Sequence, residues 1–333
     1  MNAAAMRFSV DGWDPRYGTS LELEEDLGES TARVDVTVER PAERWRAVDP
    51  RASIAQPAAL LFVDGVRRIE ARVWIEDSTP DGRPAHEASA ALCASYAAGV
   101  VCCCHLQAHL VYAETRRGLF TVAPHAADVA TWAGSYTAHR TAPAAGTPLT
   151  VTLSQLLQRR LTEIEVVAAA AARSAVAGHG VCGGGDLLIV DGPLRGRQHL
   201  PRTLGYIKSH RSSYLPPELN GVVATLEPGQ RTPVFLMGTS WDRHSWYLRL
   251  PEAAGPPWAG VVRVECSADL PVVDVVELAD LSQVCLGRFA STRYKDPRAP
   301  QNLYPISGLE RELRRRLGDP RLLYRALCRS AAA

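Results

Sequence analysis

The sequence has almost no imbalance of charge. Its 333 residues carry 37 basic and 36 acidic side chains, a formal net charge of +1. No global basic field announces nucleic acid or acidic lipid, so any DNA-binding surface has to be a local patch. Its 25 Gly and 23 Pro are scattered without a period, which excludes collagen-like or coiled-coil character, and no repeat marks a solenoid. The eight cysteines, at 93, 102, 103, 104, 182, 266, 285 and 328, form no paired C-x-x-C motifs, which argues against a zinc ribbon. The Cys102-Cys103-Cys104 run reads instead as small buried hydrophobes of a strand in a reducing cytosol. His105 and His109 are four apart, a spacing that suits a helix, but the stretch reads as strand, so a metal held by that pair is not expected. There is no G-x-x-x-x-G-K-[ST] phosphate loop and no G-x-S-x-G elbow. Gly183-Gly184-Gly185 precedes a strand rather than a helix, the wrong way round for a nucleotide turn. The start, MNAAAMRFSVDGWDP, lacks a basic segment followed by an apolar run, so no signal peptide is expected and a cytoplasmic location is. The most apolar stretch, 88–111, is broken by Tyr96, Gly99, His105, Gln107 and His109. It reads as two buried strands rather than a membrane span.

What is present is an ordinary globular composition, 46% hydrophobic and 22% charged, enough for one large domain with insertions or two modest ones. One strand is predicted over 31–39. Residues 60–77 read as a strand, a tight Asp64-Gly65 break and a second strand; two more strands follow within 97–113. Residues 121–150, rich in Ala, Thr, Gly and Pro, read as a loop or insertion. Ser154 opens a predicted helix over 154–176. Strands are expected within 186–197 and at 204–208, 233–238, 245–250 and 260–265. An Arg-rich amphipathic helical region closes the chain over 307–329. This order predicts a mixed α/β fold.

Two segments are alike: LLFVDGV around Asp64 and LLIVDGP around Asp191. Each delivers one carboxylate from an apolar strand, and strand ends are where polar chemistry emerges from a buried sheet. Two such carboxylates with only oxygen ligands suit Mg²⁺ or Mn²⁺. The competing reading is that Asp-Gly is simply a turn dipeptide. A third carboxylate is available on the helix before Asp191. Glu163 and Glu165 point to different faces; Glu165, among Leu161, Ile164, Ala168 and Ala169, is the inward one, and Glu163 is the alternative. From Gly192 to Arg211 the chain carries Arg195, Arg197, Arg202, Lys208 and Arg211 and no acid, a stretch that can track a phosphate backbone or form a solvated basic loop. Lys208 ends a short apolar strand, placed to hold a scissile phosphate. Trp241, Trp246 and Tyr247 read as packing rather than as a base-stacking platform.

Together, FVDGV at Asp64, IVDGPL at Asp191, LGYIKSH at Lys208 and NLYPISGLERELRRRLGD over 302–319 resemble the NurA nuclease family, DNA-end-processing enzymes that work with a HerA-type hexameric ATPase. The resemblance implies an RNase H-like fold, similar to the catalytic domain of Argonaute proteins: a mixed sheet flanked by helices, with insertions. It also implies metal-dependent hydrolysis of DNA in DNA repair, with Asp64, Glu165 and Asp191 as ligands to Mn²⁺ or Mg²⁺. Tyr304 matches the family's C-terminal tyrosine; Lys208, with Arg195 and Arg197, is expected to clamp phosphates at the catalytic site. It divides the chain into an arm over 1–45 and a nuclease domain over 46–333, with 121–150 as a loop or insertion. A homodimer docked on the HerA-like ATPase is implied, with no membrane. The docking element is either the arm or the terminal leucines Leu309, Leu313, Leu317, Leu322, Leu323 and Leu327; these leucines could equally pack the helix on its own sheet. The family often has a histidine eight residues beyond that tyrosine, in a YP…EAH pattern. Here the position is Glu312, and no histidine follows His244. Either another group completes the site, or the chain is a catalytically weak or inactive adaptor on an ATPase ring.

Overall fold

A computed structural model describes residues 32–51, 53–78, 84–104, 107–178, 185–210, 214–251 and 258–332. In chain order the elements are β1 (Arg33–Asp35), β2 (Ala59–Ser78), β3 (Pro84–Cys104), β4 (Gln107–Thr121), β5 (Val129–Thr131) and β6 (Gly134–Arg140). Then come α1 (Leu149–Gly178), β7 (Asp186–Asp191), β8 (Thr203–Ile207), α2 (Pro217–Ala224), β9 (Phe235–Gly238), β10 (Asp242–Arg249) and β11 (Val261–Ser267). Three helices, α3 (Val272–Leu286), α4 (Tyr304–Arg316) and α5 (Pro320–Ala331), end the chain. The result is a mixed sheet flanked by helices. Among the described residues no helix is long and apolar enough to cross a membrane. Residues 1–31 of the expected arm lie outside the described residues.

The described residues fall into two compact units. One draws on Met1–Phe62 and Gly183–Ser307, the other on Val63–Cys182 and Gly308–Ala333. In the first, the strands run β1-β9-β10-β11-β8-β7. All neighbours are antiparallel except β7 and β8, whose parallel register sets Asp191 opposite Tyr206. Trp45, Leu215, Val223, Leu226, Phe235, Met237, Tyr247 and Val261 form a core cluster of this unit. Helix α3 is tied to β10 by the Trp246 indole donating to Ser282 Oγ at 3.0 Å. Its β-branched run Val272, Val273, Val275 and Val276 hides the helix from pattern reading. Arg231 is fully buried and ion-paired with Glu39 and Asp280, so its charge is matched where water cannot reach it.

In the second unit the strands run β2-β3-β4-β6-β5. β3 and β4 are antiparallel from Ala91↔Thr121 to Cys104↔Gln107, with one register shift at Val100/Val101. β4 pairs with β6 in parallel, and β5 with β6 as an antiparallel hairpin. So 121–150, expected as a loop or insertion, holds two short strands. Helix α1 buries Leu153, Leu157, Leu161, Ile164, Ala168, Ala172 and Val176, a stripe at helical spacing, and packs on β3 and β4. The break expected at Asp64-Gly65 does not exist: β2 runs through it. Over 71–76 its burial alternates, and Ala71, Val73 and Ile75 pack on a cluster with Ala91, Cys93, Leu119 and Tyr136. β-Branched Val73 and Ile75 on one packed face hold the strand extended beyond a turn-prone dipeptide. The terminal helical region is two helices. Gly318 breaks it at φ +83°, and Asp319 caps α5 by accepting from the Arg321 and Leu322 amides, with Pro320 at its first position. Leu309, Leu313, Leu317, Leu323 and Leu327 are buried, and Leu322 is exposed.

Candidate functional site

In the first unit, β7 carries Leu187, Leu188, Ile189 and Val190 through the core at 0–1% exposure. It ends on Asp191, after which Gly192 turns the chain at φ +97°. The Leu194 amide is fixed by donating to Glu265 Oε1 at 2.7 Å. β8 returns beside β7 and ends just short of Lys208. The Lys208 ammonium donates to Asp191 Oδ2 at 2.6 Å and reaches Asn302 Oδ1 at 3.4 Å. Asn302, fully buried, donates to Asp296 Oδ2 at 2.6 Å. The other oxygen, Asp191 Oδ1, is buried and has no hydrogen-bond partner among the described residues. A buried carboxylate oxygen left so is costly unless something else binds it. The Tyr206 hydroxyl donates to the Gln301 carbonyl at 2.6 Å. Burial first, and the Asp191 charge second, push this phenol well above its ordinary range.

The second unit carries acids of its own. Asp64, buried in mid-strand, accepts from the Gly65 amide at 2.7 Å through Oδ1. The Asp64 and Glu310 carboxylates approach within 4.8 Å of each other. Glu165 is the inward glutamate of α1, 5% exposed, while Glu163 lies outside and pairs with Arg160 at 2.8 Å. A Cβ on Gly65 would stand 2.5 Å from Glu165 Oε1 and 2.7 Å from Leu161 Cδ1. Gly65 is therefore needed for the close approach of α1 to β2, not for a turn.

Glu310 escaped the sequence reading, which looked for its third carboxylate on the helix before Asp191. The signal was in the YP…EAH pattern: the glutamate standing two before the histidine position falls on Glu310. Glu312, at the histidine position, is taken by Arg315 at 3.0 Å and Arg316 at 2.8 Å on its own helix, which hold its carboxyl below the usual range. Tyr304, half-exposed, receives the Thr292 amide at 3.1 Å and meets the Thr292 hydroxyl at 2.8 Å. Of the basic stretch, Arg195 and Arg202 are exposed. Arg197 is buried, with a guanidinium N–H on the Pro193 carbonyl at 2.9 Å. Arg211 lies outside the described residues.

No family model and no curated protein matches the chain. Among solved structures it is similar to the NurA nuclease from Sulfolobus solfataricus, over 81% of this chain and 82% of that one, at 10% identity and a TM-score of 0.40. That identity gives no residue-by-residue correspondence.

Proposed function

We propose that the chain is a metal-dependent deoxyribonuclease with an RNase H-like core, hydrolysing phosphodiester bonds in DNA-end processing. The observation that carries this reading is Asp191: it stands at the end of a buried strand, with Oδ2 held by an ammonium and Oδ1 without a partner among the described residues. A divalent cation fits such an oxygen, because hard oxygen donors suit Mg²⁺ or Mn²⁺. Asp64 and Asp191 serve as ligands in this reading, with Glu310 beside Asp64 as the third carboxylate in preference to Glu165. Bound there, the ion would sharpen a water nucleophile and stabilise charge on the leaving oxygen. Lys208 orients Asp191, and through Asn302 and Asp296 its own position is fixed. Glu165 lies against Gly65 and sets the distance of α1 from β2. Arg195 and Arg202 contact phosphates, and Tyr304 holds the 292 segment in place. The partners in this reading are DNA, a second copy of the chain and a HerA-like ATPase; the motif resemblance supports them, as does the lack of any phosphate loop for self-propulsion.

The test is cleavage of linear DNA by the purified chain with Mn²⁺ or Mg²⁺ against a chelator. Cleavage that needs the ion and is lost in Asp191→Asn supports the reading. No cleavage with either ion, by a folded protein that still binds DNA, points to the adaptor reading, which the diversion of Glu312 to Arg315 and Arg316 favours. Replacing Arg195 or Arg202 with Ala should lower the log–log salt slope of DNA binding by about 0.9 for each phosphate left without its cation.

A further inference from the structure

The far end of the β3–β4 hairpin carries a second set of donors, chemically unlike the acidic one. Cys102 and Cys104 are two apart on β3, so their side chains leave the same face, while Cys103 leaves the other. Cys102 is registered directly opposite His109 on β4, and directly opposed residues share a face. The Cys102 and Cys104 sulfurs and a ring nitrogen of His109 all lie within 4.8 Å of one another. None of the three cysteines is in a disulfide. Cys102 is fully buried, Cys104 nearly so, and His109 is exposed, which leaves the cluster an open side through the imidazole.

We infer that Cys102, Cys104 and His109 form a zinc site. Two thiolates and an imidazole are a soft donor set that selects Zn²⁺ over Mg²⁺, Mn²⁺ or Ca²⁺. With Zn–S bonds of about 2.3 Å, tetrahedral sulfurs sit roughly 3.8 Å apart, a separation that fits within the 4.8 Å bounding these donors. Three protein ligands leave the fourth position to water, on the side where His109 faces solvent. The ion would join the ends of β3 and β4 across the strand pair. The cysteine run alone does not show this, because the third ligand comes from the partner strand and its register is set by pairing. The site is independent of the acidic residues and of the nuclease reading.

The experiment uses the full chain, reduced with a non-chelating phosphine. Wild type should retain one equivalent of Zn²⁺ through desalting, and Co²⁺ in its place should give thiolate-to-metal charge-transfer absorption. His109→Ala changes an exposed side chain, so the fold survives. It should weaken Zn²⁺ binding at least about tenfold, and Cys104→Ser should abolish the thiolate band's full intensity. Cys103→Ala and Asp191→Asn should change neither stoichiometry nor spectrum. An absent charge-transfer band, His109→Ala binding Zn²⁺ as tightly as wild type, or binding confined to Cu⁺ would each overturn the assignment. Loss of cleavage in Asp191→Asn with the cobalt spectrum intact separates this site from the nuclease one.

Discussion

LLFVDGV and LLIVDGP are near-copies in sequence and opposites in structure. At Asp191-Gly192 the strand ends and glycine takes a left-handed φ of +97°, with nothing among the described residues within 4 Å of a Cβ placed there. At Asp64-Gly65 the strand continues to Ser78, and glycine's lack of a side chain admits Leu161 and Glu165 of α1. The residue after each glycine makes the difference. Val66 and its successors are strand formers with a packed face, whereas Pro193 has no N–H to give and cannot extend a central strand. In this chain the Asp-Gly pair turns where proline follows and stays within the strand where valine follows. One carboxylate is delivered by a strand end and the other from a strand interior.

Activity gives the largest test of this comparison. If the two aspartates are equivalent in function despite their different settings, Asp64→Asn and Asp191→Asn should each reduce metal-dependent cleavage to background, with unchanged circular dichroism. Retained activity in Asp64→Asn alone would break the equivalence and leave Asp64 a structural group. Lys208→Met comes next. It removes the ammonium that orients Asp191, and should lower cleavage about 10- to 100-fold, the usual cost of losing a partner behind a metal ligand. An effect on DNA affinity alone would instead make Lys208 a phosphate contact.

Denaturant unfolding sharpens the contrast between the glycines. Gly65→Ala should cost about 1–3 kcal/mol by overpacking, and Leu161→Ala in the same chain should recover part of that loss. Gly192→Ala should cost roughly 1–2 kcal/mol through its left-handed backbone, and no neighbouring truncation should recover it, since no described residue crowds the site. Rescue at both positions, or neither, would erase the distinction.

The smallest expected effect is a pH dependence on the Asp191 side. His210, just past Lys208, has its ring against Tyr247 and Trp258 and a ring nitrogen 2.8 Å from the Val261 carbonyl. Burial is the main cause that lowers its pKa below 6.5, the Arg263 charge adding to it while the Val261 bond opposes it. The unfolded chain therefore binds this proton more readily than the folded one. The contribution is fully present above pH 6.5 and is lost as pH falls toward the depressed folded value. His210→Gln should flatten the stability profile in that acid range; an unchanged profile would assign the dependence elsewhere.

Much of the local structure was legible in the sequence. The Leu/Ile/Ala stripe of α1 fixes its inward face by spacing alone, and so distinguishes buried Glu165 from salt-bridged Glu163. The apolar runs before Asp64 and Asp191 mark buried strands because no polar side chain interrupts them. Those features depend on periodicity, which neighbours in sequence are enough to set. Helix α3 was not legible, because its valines favour strand locally and its helix is held by packing, including the Trp246–Ser282 bond. Nor were the pairs that bring distant residues together: Lys208 with Asp191, Glu310 beside Asp64, and His109 opposite Cys102. Each depends on the register of a strand pair or on helix docking, neither of which a local pattern sets. The residues determined which chemical groups were available and which strands would bury; tertiary structure alone decided their partners, because register and docking are fixed by the fit of whole elements rather than by any local pattern.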